Sequence, residues 1–195
     1  MRPKEDKIDD RFIGRHFQIK FNPDNMEYYL KDLGHGFGTF IKLLDWTEIT
    51  NNFLLTIGDN YIVFTLGIEE DLLTNEHTSN KEDEEYNNLI NIKIFSGNIR
   101  HGQLSFNPKQ SPIIIGRSPD CDVIIEDSML SRFHCTVEFK ENKNKWFIVD
   151  GVYDKEKKGI KSSTNGSWKY AFEDNLITNG MIFKANHNLF ICSFS

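Results

Sequence analysis

Three short segments of the chain carry polar groups suited to ligand binding, and each lies beside an apolar run. They are IIIGR, LSRFH and STNGSW. Together they supply two guanidinium groups, two hydroxyls and one side-chain amide, on Arg117, Ser131, Arg132, Thr164 and Asn165. Such groups form directional hydrogen bonds, and a guanidinium adds a fixed positive charge. Thr-Asn-Gly is also a good turn, because Asn and Gly tolerate positive φ. The segments therefore indicate a binding site only if the fold brings them together.

Arg117 and Ser131 also have ordinary structural explanations. Arg117 could form a surface ion pair with Asp120 or Asp122, since such pairs are common and contribute little to stability. Ser131 could serve as a turn or cap hydroxyl, which is the more frequent role of a single serine. Both alternatives stay open from the residues alone.

The same residues do not predict catalysis. Ser131 and His134 stand three apart at a strand entry, without the sharp turn that exposes a catalytic serine. The chain also lacks the phosphate-cradling GxxxxGK[ST] pattern. Its three cysteines, Cys121, Cys135 and Cys192, show no paired spacing for zinc. We therefore expect no enzyme activity, no cofactor, no metal and no disulfide framework.

The composition is that of a globular protein, with 38% hydrophobic and 13% aromatic residues in 195. No apolar run is long enough to span a membrane. The formal charge of -6 does not favour nucleic acid, and we expect neither a nucleic-acid nor a membrane partner. The odd, unpaired cysteines favour a reducing compartment, so we expect an intracellular protein of the nucleus or cytoplasm.

The acidity is concentrated in one polar segment. Residues 69–85 contain eight acidic residues and a single lysine. Such a segment is typical of a solvated linker. It predicts a division into a unit at 1–68, an acidic linker at 69–87 and a domain at 88–195.

Short runs rich in Ile, Val, Phe and Tyr recur on both sides of this segment, bounded by Gly, Asn, Asp and Pro. The clearest are HFQIKF, YYLKDL, TFIKLL, NYIVFTL, LINIKIF, PIIIG, DVIIED, HCTVEF, WFIVD and NLFICSF. Long helical periodicity is missing. The pattern predicts an all-β protein built as antiparallel sandwiches.

The two halves resemble each other. RHFQIKF at 15–21 aligns with FHCTVEF at 133–139, which sets His16 over His134 at an offset of 118 (134 − 16). Asp32 and Asp150 share that offset, whereas Gly38 and Gly166 differ by 128. We infer two copies of one β-unit, with a ten-residue insertion near YDKEKKGIKS in the second. The second copy holds the hydroxyl, amide and guanidinium groups.

The second copy resembles the forkhead-associated (FHA) domain. The motifs that carry the likeness are GRSPDCDVIIED, LSRFHC, WFIVD and STNGSW, in the family's order over about residues 89–194. The resemblance implies a β-sandwich of the SMAD/FHA type, whose recognition loops gather at one end. It also implies a non-enzymatic module that binds phosphothreonine peptides.

The resemblance assigns roles to individual residues. Arg117 and Ser131 would bind phosphate, and Arg132 would add a peptide or phosphate contact. Thr164 would lie against the phosphothreonine, and Asn165 would bond the peptide backbone. The supporting residues are Gly116, His134 and Gly166, with His134 organising the loop rather than binding phosphate.

The first copy resembles the back portion of the same domain, in degenerate form and without the strands that should precede it. Three explanations are open: truncation of a longer tandem protein, which we favour; strands supplied by another molecule; or a remodelled sheet. The rival to a phosphopeptide adaptor is a phospho-independent scaffold that docks constitutively through sandwich faces.

The insertion contains Lys155, Lys157, Lys158 and Lys161 against Asp154 and Glu156. A solvated loop is the ordinary interpretation of such a charge run. We also expect these lysines to steer acidic phosphopeptides toward the site.

Overall fold

The computed structural model describes residues 15–67, 88–97 and 99–194, and it divides the chain into two compact units. Unit 1 consists of Met1–Lys42 with Tyr170–Ser195, and unit 2 consists of Leu43–Lys169. Each unit is built from short β-strands, as the runs of β-branched and aromatic residues predict. The prediction of an all-β, antiparallel sandwich is confirmed.

The strands of unit 1 come from both ends of the chain. They are β1 (Phe17–Asn22), β2 (Glu27–Asp32), β3 (Thr39–Lys42), β16 (Asn175–Leu176), β17 (Ile182–Ala185) and β18 (Asn188–Ile191). One sheet has the order β1-β2-β16, and the other strands follow the order β18-β17-β3. The two layers share a small core of four buried residues: Leu30, Ile177, Met181 and Phe183.

The strands of unit 2 lie in the middle of the chain. They are β4 (Thr47–Glu48), β5 (Phe53–Ile57), β6 (Asn60–Leu66), β7 (Ile90–Ser96), β8 (Ile99–Phe106), β9 (Ile113–Gly116), β10 (Val123–Ile124), β11 (Cys135–Lys140), β12 (Lys145–Asp150), β13 (Val152–Asp154), β14 (Gly159–Lys161) and β15 (Trp168–Tyr170). Tyr170, the last residue of β15, belongs to unit 1.

Two five-stranded layers form the sandwich of unit 2. One has the order β10-β9-β11-β12-β4, and the other has the order β15-β5-β6-β7-β8. All pairs in the first layer are antiparallel except β9 with β10. Nineteen buried residues from both layers form one core, far larger than the core of unit 1. No membrane-crossing helix is found in the part of the chain that the structure describes.

The limits of the two compact units do not coincide with the boundaries that the sequence suggested at 68 and 88. β6 pairs with β7 along its whole length, and the Gly67 N–H donates to the Leu89 C=O at 2.9 Å. Residues before and after the acidic segment therefore belong to one sheet of unit 2. The predicted linker at 69–87 lies outside the described residues.

The register of the strands follows the repeat seen in the sequence. Phe17 pairs with Asp32 in hairpin β1–β2, and Cys135 pairs with Asp150 in hairpin β11–β12. Every residue pair of the first hairpin is related to a pair of the second by the offset of 118. Hairpin β5–β6 and hairpin β17–β18 are related by 128, so that Ile57–Asn60 corresponds to Ala185–Asn188.

Each unit combines pieces of both copies. Hairpin β1–β2 of the first copy pairs with β16 of the second, through Leu176 and Tyr29. Hairpin β11–β12 of the second copy pairs with β4 of the first, through Glu48 and Phe147. Strands at equivalent positions are exchanged in this way. Each compact unit therefore contains residues from both before 68 and after 88. That the first copy is a degenerate FHA-like unit stays a prediction.

Candidate functional site

Five predicted binding residues line one cavity of about 370 Å³ in unit 2. They are Arg117, Ser131, Arg132, Thr164 and Asn165. Three loops supply them: the loop after β9, the loop before β11 and the loop between β14 and β15. The fold thus brings the three segments together, as a binding site requires.

The loop after β9 passes directly over the loop before β11. A Cβ on Gly116 would lie 2.3 Å from the Arg132 carbonyl oxygen, so only glycine allows this approach. The Arg117 N–H donates to the Ser131 C=O at 3.3 Å, and the Ser118 N–H donates to the Arg132 C=O at 3.0 Å. The two phosphate-site candidates Arg117 and Ser131 are therefore held side by side by backbone bonds.

The guanidinium of Arg117 is exposed and oriented by a single bond. Its Nε donates to the Leu130 C=O at 2.8 Å. Within the described ranges its terminal nitrogens have no partner. Asp122 instead accepts from the Ile114 N–H, and Asp120 bonds Ser118. The surface ion pair that would give Arg117 a purely structural role is thus not formed among these residues.

Ser131 joins its loop to the Thr-Asn-Gly tip. The Thr164 N–H donates to Ser131 Oγ at 3.0 Å, and that hydroxyl lies 3.3 Å from Thr164 Oγ1. Two short neutral hydroxyls consequently face the cavity together. Arg132 is exposed at the same rim.

Asn165 is exposed at the tip, and its side chain already bonds the neighbouring loop. Its Nδ2 donates to the Met129 C=O at 2.7 Å. Its side-chain oxygen has no donor among the described residues, which leaves this oxygen available as an acceptor. Gly166 has φ of +78°, the left-handed angle expected for this turn.

His134 is fully buried beneath the site and bonds two of its loops. Its Nδ1 accepts from the Ser131 N–H at 3.1 Å, and its Nε2 lies 3.3 Å from the Gly166 C=O. This pattern requires a neutral ring with the proton on Nε2. Burial lowers the pKa of His134, which favours that neutral form.

The serine–histidine geometry does not suit catalysis. The Ser131 hydroxyl bonds Thr164, while it is the Ser131 backbone that bonds His134. Both ring nitrogens of His134 are used for loop structure. No cluster of potential metal ligands occurs within the described ranges.

Asp150 is a structural residue of the site that the sequence interpretation did not select. It is 3% exposed at the end of β12 and accepts from the Ser163 N–H, the Ser163 hydroxyl and the Ser167 hydroxyl. Ser163 Oγ in turn accepts from the Gly166 N–H at 2.9 Å. The sequence could have identified Asp150, because it aligns with Asp32 in the repeat.

The insertion forms the hairpin β13–β14, and its base reaches the cavity. Lys161, one of the lysines expected to steer phosphopeptides, lines the cavity. Six further lining residues were not selected from the sequence: Ser128, Met129, Leu130, Phe133, Val152 and Ser162. At the hairpin tip, Asp154 accepts from the Glu156 and Lys157 N–H groups. The Lys157 N–H bond lowers the pKa of Asp154, so the turn is stabilised with its carboxylate charged.

Comparison with known proteins supports the resemblance seen in the motifs. Residues 113–169 match the family model of the FHA domain. A stretch of 83 residues is 26% identical to the FHA domain-containing protein PS1 of Arabidopsis thaliana, covering 41% of this chain and 5% of that protein. The chain thus spans a small part of this relative. No solved structure gives a significant match.

Proposed function

We propose that this chain, an FHA-domain protein, is a phosphothreonine-dependent protein-binding module. FHA domains are interaction modules rather than enzymes. The observation that carries the proposal is the convergence of Arg117, Ser131, Thr164 and Asn165 on one cavity. A phosphothreonine brings about two negative charges and three acceptor oxygens at neutral pH, so it requires a cation and several short donors.

The proposed roles follow from the chemistry of each group. Arg117 donates charge-assisted hydrogen bonds to phosphate from its terminal nitrogens, and Ser131 donates its hydroxyl to another phosphate oxygen. Arg132 adds a second cation at the rim. Thr164 lies against the threonine methyl group. Asn165 accepts a peptide N–H on its free oxygen, a contact that does not depend on the peptide's side chains.

The decisive experiment measures binding of an array of phosphothreonine peptides to the wild type and to Arg117→Ala. Loss of charge-assisted hydrogen bonds is expected to raise Kd at least about 100-fold for peptides that bind the wild type. Arg100→Ala is the matched control, since Arg100 is an exposed arginine of unit 2 outside the cavity. It should bind like the wild type.

Two further comparisons define the ligand. Unphosphorylated peptides should not bind, and phosphoserine versions should bind more weakly because they lack the methyl group that Thr164 contacts. If no phosphopeptide binds the wild type above background, the chain is a phospho-independent scaffold that docks through its sandwich faces. Circular dichroism of Arg117→Ala must match the wild type, so that lost binding is not lost folding.

A further inference from the structure

Strand β1 of unit 1 has an open edge. It pairs with β2 on one side, and the sheet order β1-β2-β16 leaves its other side without a partner among the described residues. A strand edge of this kind presents backbone N–H and C=O groups to any extended segment that approaches it. The sequence of β1 contains no proline that would interrupt such pairing.

The equivalent edge in unit 2 is covered by a strand. There β9 runs antiparallel to β11, with Ile115 opposite Cys135 and Ile113 opposite Val137. Val137 is fully buried, whereas Ile19, which aligns with it at the offset of 118, is 50% exposed. The same position of the same hairpin is thus covered in one unit and open in the other.

An aromatic pair beside this edge shows the same difference. Phe139 and Trp146 in unit 2 lie 5.2 Å apart between ring centroids, and Trp146 is 2% exposed. Their counterparts in unit 1, Phe21 and Tyr28, lie 4.9 Å apart and are 41% and 43% exposed. Beside the open edge, Ile19 and this aromatic pair are therefore exposed apolar side chains.

The backbone groups of β1 are oriented for pairing at the open edge. The Leu33 N–H donates to the His16 C=O, and the bonding direction alternates along a strand. The N–H and C=O groups of Phe17, Ile19 and Phe21 therefore point away from β2. In unit 2 the counterpart of Phe21, Phe139, donates its N–H on that side to Ser111 Oγ.

The sequence of this edge is self-complementary. Phe17-Gln18-Ile19-Lys20-Phe21 reads apolar, polar, apolar, polar, apolar in both directions from Ile19. Antiparallel pairing of two copies about Ile19 places phenylalanine opposite phenylalanine, and Gln18 opposite Lys20 of the partner subunit. No like charges then face each other. We propose that unit 1 binds a second copy of this chain by antiparallel pairing of β1 with β1, giving a two-fold symmetric dimer.

Analytical ultracentrifugation of the full chain over a range of concentrations tests the dimer. The wild type should sediment as a monomer–dimer equilibrium. Ile19→Lys should raise the dimer Kd at least about tenfold, because it sets two cations face to face on the symmetry axis. Mixing Ile19→Lys with Ile19→Asp should restore association as a heterodimer, a result that only direct apposition of the two positions gives.

Substitutions at Gln18, which is exposed, keep the test independent of folding. Gln18→Glu places a carboxylate opposite Lys20 of the partner subunit twice per dimer and should lower Kd roughly three- to fivefold. Gln18→Lys should raise Kd by a similar factor. Equal effects of the two substitutions would overturn the proposed register.

Leu189→Lys is the matched control, since Leu189 is 61% exposed on β18 of the same unit. It should dimerise like the wild type. A chain that remains monomeric at every concentration overturns the proposal. Dimerisation that occurs only after residues 2–14 are removed would also overturn the proposal, because that result would mean that the N-terminal segment occupies the edge of β1.

Discussion

The tips that follow the two related hairpins differ in their chemistry. In unit 2 the tip is Thr164-Asn165-Gly166, whose side chains bond the neighbouring loop and face a cavity. In unit 1 the corresponding residues are Gly36-Phe37-Gly38, and Phe37 is 75% exposed. Asn186 fixes that loop by accepting from the Phe37 N–H and contacting His16.

The hairpin framework beneath these tips is nearly the same. The Gly151 N–H donates to the His134 C=O in unit 2, and the Leu33 N–H donates to the His16 C=O in unit 1. Each second strand also ends in a buried aspartate that organises the loop after it. Unit 1 therefore shares the strand register and the loop anchoring of unit 2, but it lacks the polar groups of the site.

The largest expected difference between the units concerns their cores. Ile148 and Leu30 occupy the same repeat position, and both are fully buried. Ile148→Ala should lower the free energy of unfolding by about 3–4 kcal/mol and Leu30→Ala by about 2–3 kcal/mol, because fewer buried neighbours surround Leu30. All three tryptophans lie in unit 2, so urea unfolding followed by tryptophan fluorescence reports that unit.

Far-UV circular dichroism in the same titrations reports both units. A Leu30→Ala variant that lowers the free energy of unfolding measured by circular dichroism as much as Ile148→Ala does would contradict the difference in core size.

A second matched pair tests the buried aspartates. Asp150 accepts three hydrogen bonds, whereas Asp32 accepts from the Gly34 N–H and the Tyr170 hydroxyl, and its Oδ1 is buried without a partner among the described residues. Asp150→Asn should lower the free energy of unfolding by about 2 kcal/mol and weaken phosphopeptide binding. Asp32→Asn should have the smaller effect on stability and leave binding unchanged.

Urea denaturation and fluorescence polarisation measure these two quantities. The anchoring role assigned to Asp150 fails if its asparagine variant binds phosphopeptide as tightly as the wild type.

The pH dependence of unit 2 should reflect its buried histidine. The folded-state pKa of His134 is lowered by burial, so below its ordinary value of about 6.5 the unfolded chain binds the proton more readily. The contribution of neutral His134 to stability is therefore full above that pH and is lost as pH falls toward the folded-state pKa. His134→Gln should flatten the slope of the unfolding free energy as pH falls below about 6.5. An unchanged slope would show that other groups dominate.

The smallest expected effect concerns the lysines of hairpin β13–β14. Replacing Lys155, Lys157, Lys158 and Lys161 with alanine should slow association with acidic phosphopeptides roughly threefold at low salt and flatten its salt dependence. Stopped-flow fluorescence gives both values. Replacement of Lys31, an exposed lysine of unit 1, serves as control. Steering is refuted if the fourfold variant associates at the wild-type rate.

Much of the secondary structure was predictable from local sequence. Runs such as NYIVFTL and WFIVD coincide with β6 and β12, because alternating or continuous apolar residues identify strands that face a core. β5 was missed even though FLLTI is mostly apolar, and β8 was missed because IRHGQLSF is mostly polar and exposed. The predicted boundaries at 68 and 88 differ from the limits of the compact units, because a polar segment suggests a linker even where the strands on either side of it pair in one sheet.

The motifs and the repeat determined the hairpins, their common register and the choice of site residues, since spacing and residue type are local properties. Tertiary structure decided which strands complete each unit, how Asp150 and His134 brace the loops, and which extra residues line the cavity. The completion of each unit depends on pairing between strands more than a hundred residues apart, such as β2 with β16, and the bracing of the site depends on contacts between separate loops, such as His134 with Gly166. Many alternative pairings satisfy the same local pattern, and only packing of the complete core selects among them.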